Sequence, residues 1–299
     1  MKIVVSGASG LVGSAVAGNL SSRGAKVLQL VRETPRDADR EILWNPSEGI
    51  KDAAKLEGVD AVIHLAGEPI AEGRWTDEKK RRIRESRVRG TRVLSEALGK
   101  LERKPSVLLS ASAVGYYGSR GSEMLTEESA PGDDFLARVC REWEESTGPA
   151  AEAGIRVVMM RFGVILSREG GALAKMLTPF KFGVGGRLGS GEQYMSWISL
   201  EDVVGVIDFL LEKSSLSGPV NTVAPNPVTN REFTEALGDA LSRPTIFPVP
   251  KFVMRAAFGE MADMALLASQ RAEPARLKSS GYAFKHAELK AALRDILKK

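Results

Sequence analysis

The chain has 299 residues but one cysteine, Cys140, and only two histidines, His64 and His286. One thiol cannot close an internal disulfide, and so few soft ligands make no zinc site, so no metal is expected. Aromatic residues are 6% of the chain, and no apolar run is long enough to cross a bilayer. The first apolar run opens at Lys2, leaving no stretch for a targeting leader. A cytoplasmic protein with no membrane partner is the expectation. An excess of one charge is missing too, with 42 Lys and Arg against 38 Asp and Glu. The cations are instead clustered, from Lys79 and Lys80 through Arg81, Arg82, Arg84, Arg87, Arg89 and Arg92. Asp77 and Glu78 stand four residues before Arg81 and Arg82, and Glu85 four before Arg89. That spacing reads as a solvated, ion-paired helix face. No aromatic residues interleave the charges, so no nucleic-acid partner is expected.

What is present is concentrated at the start. Lys2 to Ser6 is a short apolar run, followed by Gly7-Ala8-Ser9-Gly10-Leu11-Val12-Gly13 and a run of small residues to Leu20. A buried strand, a glycine turn and a helix account for this order. Gly7 lets the chain turn off the strand, Gly10 leaves room for a pyrophosphate, and Gly13 lets the helix pack closely. The helix start then offers unpaired N–H groups to phosphate oxygens. A dinucleotide is therefore the expected ligand. The next strand, 25–31, ends at Arg32, where a guanidinium suits a ribose 2′-phosphate and an acid would repel it. Glu33 mixes the signal and Arg36 reinforces it; the balance favours NADP over NAD.

Further along, a strand candidate at 42–44 precedes Asn45-Pro46, and a buried strand at 59–65 runs into Ala66 and Gly67. A small residue and a glycine there suit the crevice at the carboxyl ends of an open sheet. His64, inside the apolar run, reads as a packed, hydrogen-bonded histidine rather than a base. A helix over 77–98, a strand over 106–110, a helix over 135–153 and a strand over 156–165 continue the alternation. Ser112, Tyr116 and Tyr117 follow the fifth strand, where hydroxyls and phenols are placed for chemistry, although packing accounts for the tyrosines equally well. Beyond Leu166 come glycine-rich patches around an amphipathic stretch, a helix to Lys213, a strand at 219–223, and a capping box of Thr229 with Glu232. The expected fold is α/β, a Rossmann-type doubly wound parallel sheet with a smaller C-terminal α+β substrate lobe. The nucleotide domain is placed at 1–165, with 197–224 returning to it, and the covering lobe at 166–196 and 225–299.

The glycine triplet, Asp60-Ala-Val-Ile-His64-Leu-Ala66, Gly90-Thr91 and the Ser112 to Gly118 stretch together resemble the extended short-chain dehydrogenase/reductase superfamily. Leu65 to Ala71, Arg74-Trp75, Ser86-Arg87-Val88, Trp143-Glu144, Arg161 to Leu166, Gly189 to Gln193, Trp197-Ile198 and Gly259 to Ala262 are similar to one branch of it. That branch is the epimerase-like, NADP-binding subfamily with the cell-division-inhibitor-like label. The resemblance implies that Gly7, Ser9, Gly10, Leu11, Val12, Gly13, Arg32, Leu65, Ala66, Gly67, Arg87 and Ile165 hold NADP(H). It also implies a homodimer through the basic helix and the Phe135 helix. The superfamily's tyrosine and lysine, four residues apart, are here Phe135 and Val139, and its asparagine is Arg87. Arg120, four residues after Tyr116, is a fixed cation and cannot relay a proton as lysine does. Ser199 stands where this branch often has histidine. Two readings follow: an NADP(H)-dependent oxidoreductase or epimerase of a small polar substrate, with Ser112 binding the reacting oxygen and Tyr116 moving the proton; or a non-catalytic NADP(H)-binding sensor or scaffold.

Overall fold

The structure, a computed structural model, describes residues 1–298. The chain starts with β1 (Lys2–Ser6), α1 (Leu11–Ser22), β2 (Lys26–Val31), β3 (Glu41–Asn45), β4 (Gly49–Ile50), β5 (Ala61–His64), α2 (Asp77–Gly99) and β6 (Val107–Ala113). It continues with β7 (Met124–Leu125), α3 (Phe135–Glu145), α4 (Gly148–Glu152), β8 (Arg156–Phe162), β9 (Val164–Leu166) and α5 (Gly171–Lys181). Next are β10 (Tyr194–Met195), β11 (Trp197–Ser199), α6 (Leu200–Glu212), β12 (Gly218–Thr222), β13 (Val228–Thr229) and α7 (Asn230–Leu241). The last elements are α8 (Lys251–Phe258), β14 (Arg271–Ala272), α9 (Ala275–Ser279) and α10 (Leu289–Lys298).

Eight strands form one sheet in the order β12-β8-β6-β5-β1-β2-β3-β4. Every neighbouring pair is parallel except β3 with β4. A parallel sheet must bury both faces, and the alternation of β1 shows how. Ile3 and Val5 point to α1 and α6, meeting Val16, Leu20, Val203 and Val206. Val4 points the other way, to Leu94 and Leu98 of α2. Strand order reverses at β1, with β2 on one side and β5 on the other, which opens a crevice at their carboxyl ends. A separate core of Leu173, Leu177, Trp197, Phe233, Leu237 and Leu293 holds α5, α7 and α10 together. The capping box at α7 is complete, with Thr229 N donating to Glu232 Oε2 at 2.7 Å and Thr229 Oγ1 accepting from Glu232 N. Among the described residues no helix is long and apolar enough to cross a membrane.

Three boundaries differ from the sequence expectation. The helix expected over 135–153 is two helices, because Pro149 lacks an N–H and its ring excludes a continuous turn. The strand expected over 156–165 breaks at Gly163, where a Cβ would lie 2.5 Å from the Ser196 carbonyl oxygen. Beyond that point the chain leaves the large sheet, and β9 pairs in parallel with β11. The strand expected to end at Ser110 runs on to Ala113, so Ser112 lies inside β6 rather than after it.

Candidate functional site

The crevice is built by the glycine turn. Gly7 has φ +69°, and a Cβ there would lie 2.9 Å from the Leu65 carbonyl carbon. A Cβ on Gly13 would lie 2.1 Å from Gly7 O, so the first turn of α1 sits directly on the loop that precedes it. Gly10 caps α1 without a side-chain hydrogen bond, leaving the helix's first N–H groups for a ligand. A cavity of about 510 Å³ opens against them. Of the residues expected to hold cofactor, Gly7, Ser9, Gly10, Arg32, Leu65, Ala66 and Gly67 line it. Leu11, Val12, Gly13, Arg87 and Ile165 stand outside its lining, as do Ser112 and Tyr116. Leu11 instead packs against Gly170 and Gly171, beside the Ile165 carbonyl, where α5 begins. Trp44, Pro46 and Ser86 line the cavity and were not anticipated; the run of strand then Asn45-Pro46 was the available signal, since it too ends at the sheet's ligand edge.

Behind the crevice wall runs a buried chain of hydrogen bonds. Ser6 Oγ accepts from the Leu65 and Ala66 N–H groups at 3.1 and 3.2 Å. Its own proton therefore goes to His64 Nδ1, 2.6 Å away. His64 Nε2–H then donates to Thr91 Oγ1 at 3.0 Å, which also accepts from Trp143 Nε1 at 2.9 Å. Burial pushes the His64 pKa down to about 4, so the ring is neutral and serves as a strut between β1, β5, α2 and α3.

Charge is arranged unevenly around the cavity. Arg32, Glu33 and Arg36 line its β2 end, all exposed. Glu68, at the opposite lip, is held below its ordinary pKa by a hydrogen bond from Lys79 Nζ at 2.7 Å, with burial opposing. Arg87 lies on the far side of Gly67, its guanidinium 5.1 Å from the Trp143 ring and donating to Ile83 O at 3.1 Å. Burial lowers its pKa, with Cys140 and Glu68 acting in the other direction. Most of the remaining α2 cations are paired, though with different acids than the spacing suggests. Arg84 meets Glu142 at 2.5 Å, Lys80 meets Glu260 at 2.9 Å, and Arg89 donates to Ser47 O.

At the end of β6 the polar groups are satisfied by one another. Ser112 Oγ donates to Glu144 Oε1 at 2.6 Å. Glu144 also receives Arg161 Nε and Nη2, each at 2.8 Å. Arg161 Nη1 donates to Tyr117 OH at 3.0 Å, and Tyr117 OH donates to Asn221 Oδ1 at 2.6 Å. Burial raises the Tyr117 phenol to about 12, and burial raises the Cys140 thiol to about 12, so neither gives up a proton at neutral pH. Tyr116 is half-buried, its ring 3.5 Å from the Arg161 guanidinium carbon. Arg120 is drawn away from Tyr116 to Glu123 and Ala130 O. Phe135 packs edge-on to Trp75 at 5.6 Å, in an apolar cluster with Leu136, Ile70 and Met264. Glu144 and Arg161 both stand in motifs quoted from the sequence, but their pairing was missed, because nothing local links the two positions.

A doubly wound sheet with a glycine turn at its switch point and a cavity against the turn defines a dinucleotide-binding fold. The NAD-dependent epimerase/dehydratase family model matches residues 3–223, and a domain of unknown function, DUF1731, matches 249–296. An epimerase family protein of Mycobacterium bovis is 46% identical over 291 residues, covering 97% of this chain and 96% of its own. The human epimerase family protein SDR39U1 is 34% identical, covering 99% and 100%. The crystal structure of human SDR39U1 isoform 2 with NADPH is similar at a TM-score of 0.92 and 33% identity, over 100% of both chains. The chain belongs to the NAD-dependent epimerase/dehydratase family.

Proposed function

We propose that the chain is an NADP(H)-dependent oxidoreductase or epimerase acting on a small polar substrate held between 1–165 with 197–224 and the lobe formed by 166–196 and 225–299. The observation that carries this reading is the cavity, with the uncapped start of α1 at one wall and Arg32 and Arg36 at the other. A phosphorylated dinucleotide fits that donor set: the α1 N–H groups and Ser9 for the pyrophosphate, a guanidinium for the 2′-phosphate. Bound there, the cofactor supplies or accepts hydride. Crystallisation of human SDR39U1 with NADPH supports the same choice. On the substrate side, Ser112 Oγ donates its hydrogen bond to Glu144, so it can accept one from a substrate hydroxyl but has no free O–H to polarise a carbonyl. Of the two tyrosines that follow β6, Tyr116 is the one whose hydroxyl has no hydrogen bond among the described residues, which leaves it for the proton transfer.

The second reading, an NADP(H)-binding sensor without turnover, is favoured by Phe135, Ser112 and Tyr117 all being engaged by the protein itself. Calorimetry with NADPH and NADH, followed by NADPH fluorescence in the presence of a panel of aldehydes, ketones and sugars, separates the readings. Heat with NADPH and oxidation by at least one compound is the expected outcome. Heat without oxidation across the panel selects the sensor, and no heat removes both. A homodimer through α2 and α3 would bury a groove lined by Arg84, Arg89, Arg92 and Glu142, and light scattering measures whether it forms.

A further inference from the structure

The lobe carries a face that the cofactor site does not use. Residues 170–191 and 243–259 contain no Asp or Glu, yet hold Lys175, Lys181, Arg187, Arg243, Lys251 and Arg255, the last of them ion-paired with Asp263 just beyond. The two stretches lie side by side: Arg243 Nε donates to Lys181 O, and Val249 pairs with Arg187 and Gly189 through backbone bonds of 2.8 Å. Phe182 is 80% exposed, Phe252 and Ile246 72%, Val184 61% and Phe247 60%, and elsewhere among the described residues only Met1 and Met124 project comparably. The patch is on the order of 600 Å², at the top of the range for a folded monomer's largest apolar surface. Lys181 and Lys251 have no hydrogen bond or ion pair among the described residues, and Arg243 meets only carbonyl oxygens.

Protruding phenylalanines beside Lys181, Lys251 and Arg243, cations with no acidic partner among the described residues, match one kind of partner. We propose that this face docks on the anionic surface of a lipid bilayer, the rings entering the headgroup boundary and the cations meeting lipid phosphates and carboxylates. No spanning helix is involved, and this peripheral contact departs from the sequence expectation of no membrane partner. A second copy of the chain fits less well, because a two-fold contact would bring Lys181, Arg243 and Lys251 against their own equivalents with no acid between them. The face adjoins the loop that follows Glu68 at the cavity's lip: Lys175 Nζ donates to Ala71 O at 3.2 Å, and Arg74 Nη2 donates to Ala256 O at 2.6 Å.

The full chain should co-sediment with vesicles of phosphatidylcholine and phosphatidylserine and stay in solution with phosphatidylcholine alone. Each of Lys181→Glu and Lys251→Glu should lower the bound fraction roughly fivefold, and raised salt should do the same. Phe182→Ser with Phe252→Ser should abolish binding while leaving the melting transition unchanged, since both rings are exposed. No binding to the anionic vesicles by the folded chain overturns the proposal. So does a dimer, seen by light scattering, that the same serine substitutions dissolve.

Discussion

The carboxyl edge of the sheet has two ends built on opposite terms, one at the cavity and one outside its lining. At the glycine turn the first backbone donors of α1 have no side-chain cap, and Arg32 and Arg36 face the cavity from exposed positions. At the end of β6, Ser112, Glu144, Arg161, Tyr117 and Asn221 close their hydrogen bonds on each other. The first arrangement leaves its donors to solvent or a ligand; the second closes on the protein itself. Removing a group from the self-satisfied end should therefore damage the fold before it damages binding, and the reverse should hold at the open end.

The largest expected effect is at the closed end. Arg161 is 2% exposed, and among the described residues Glu144 supplies its only carboxylate contacts within salt-bridge distance. Burial on its own lowers the guanidinium's pKa, and Glu144 and Tyr117 together more than reverse that. Glu144→Gln keeps an acceptor for Ser112 but strands the cation, at a cost of about 3–5 kcal/mol in unfolding free energy. Urea titration measures the loss. NADPH affinity of the folded fraction should change less than about twofold, because the pair lies outside the cavity lining. A large loss of affinity with intact stability would erase the contrast between the two ends.

How much of this was legible beforehand follows the same division. The glycine turn could be read because a left-handed φ at Gly7 and the contact of Gly13 with Gly7 O admit no other residue, so the requirement is written locally. The alternation of Ile3, Val4 and Val5 between two cores is likewise local. The self-satisfied end could not be read. Glu144 is 32 residues from Ser112, Tyr117 is 104 from Asn221, and nothing in either neighbourhood announces the partner. Boundaries failed where a local signal was overlooked. Gly163 in a strand and Pro149 in a helix both marked breaks.

Between the ends stands His64, and it gives the next effect in size. Its pKa is near 6.5 unfolded and about 4 folded, because burial disfavours the imidazolium. The unfolded chain therefore binds the extra proton between these values, and stability rises with pH across that window. The contribution is fully present above about pH 6.5, falls as pH drops, and levels off below about pH 4. The shift corresponds to about 3 kcal/mol. His64→Asn should flatten the unfolding free energy between pH 4 and 6.5 relative to the parent chain, after a constant loss from the broken bonds to Ser6 and Thr91. A slope unchanged by the substitution would move the titrating group elsewhere.

The smallest of these effects belongs to the open end, and it is one of selectivity rather than stability. Arg32 is exposed and forms no salt bridge among the described residues, so replacing it should leave the melting transition within about 0.5 kcal/mol of the parent. Arg32→Glu places a carboxylate where the 2′-phosphate is proposed to lie, exchanging an attraction for a repulsion in a partly solvated site. NADPH affinity should fall about tenfold or more, corresponding to about 1.4 kcal/mol, with a loss that shrinks as salt screens the charges. NADH affinity should stay level or rise, since a carboxylate can accept from an unphosphorylated 2′-hydroxyl. Glu33 and Arg36 sit beside the same wall, so the complementary substitution Glu33→Gln should strengthen NADPH binding by a smaller factor. Equal loss for both cofactors would mean that Arg32 shapes the cavity rather than reads the phosphate, and the open end would then select its ligand by shape.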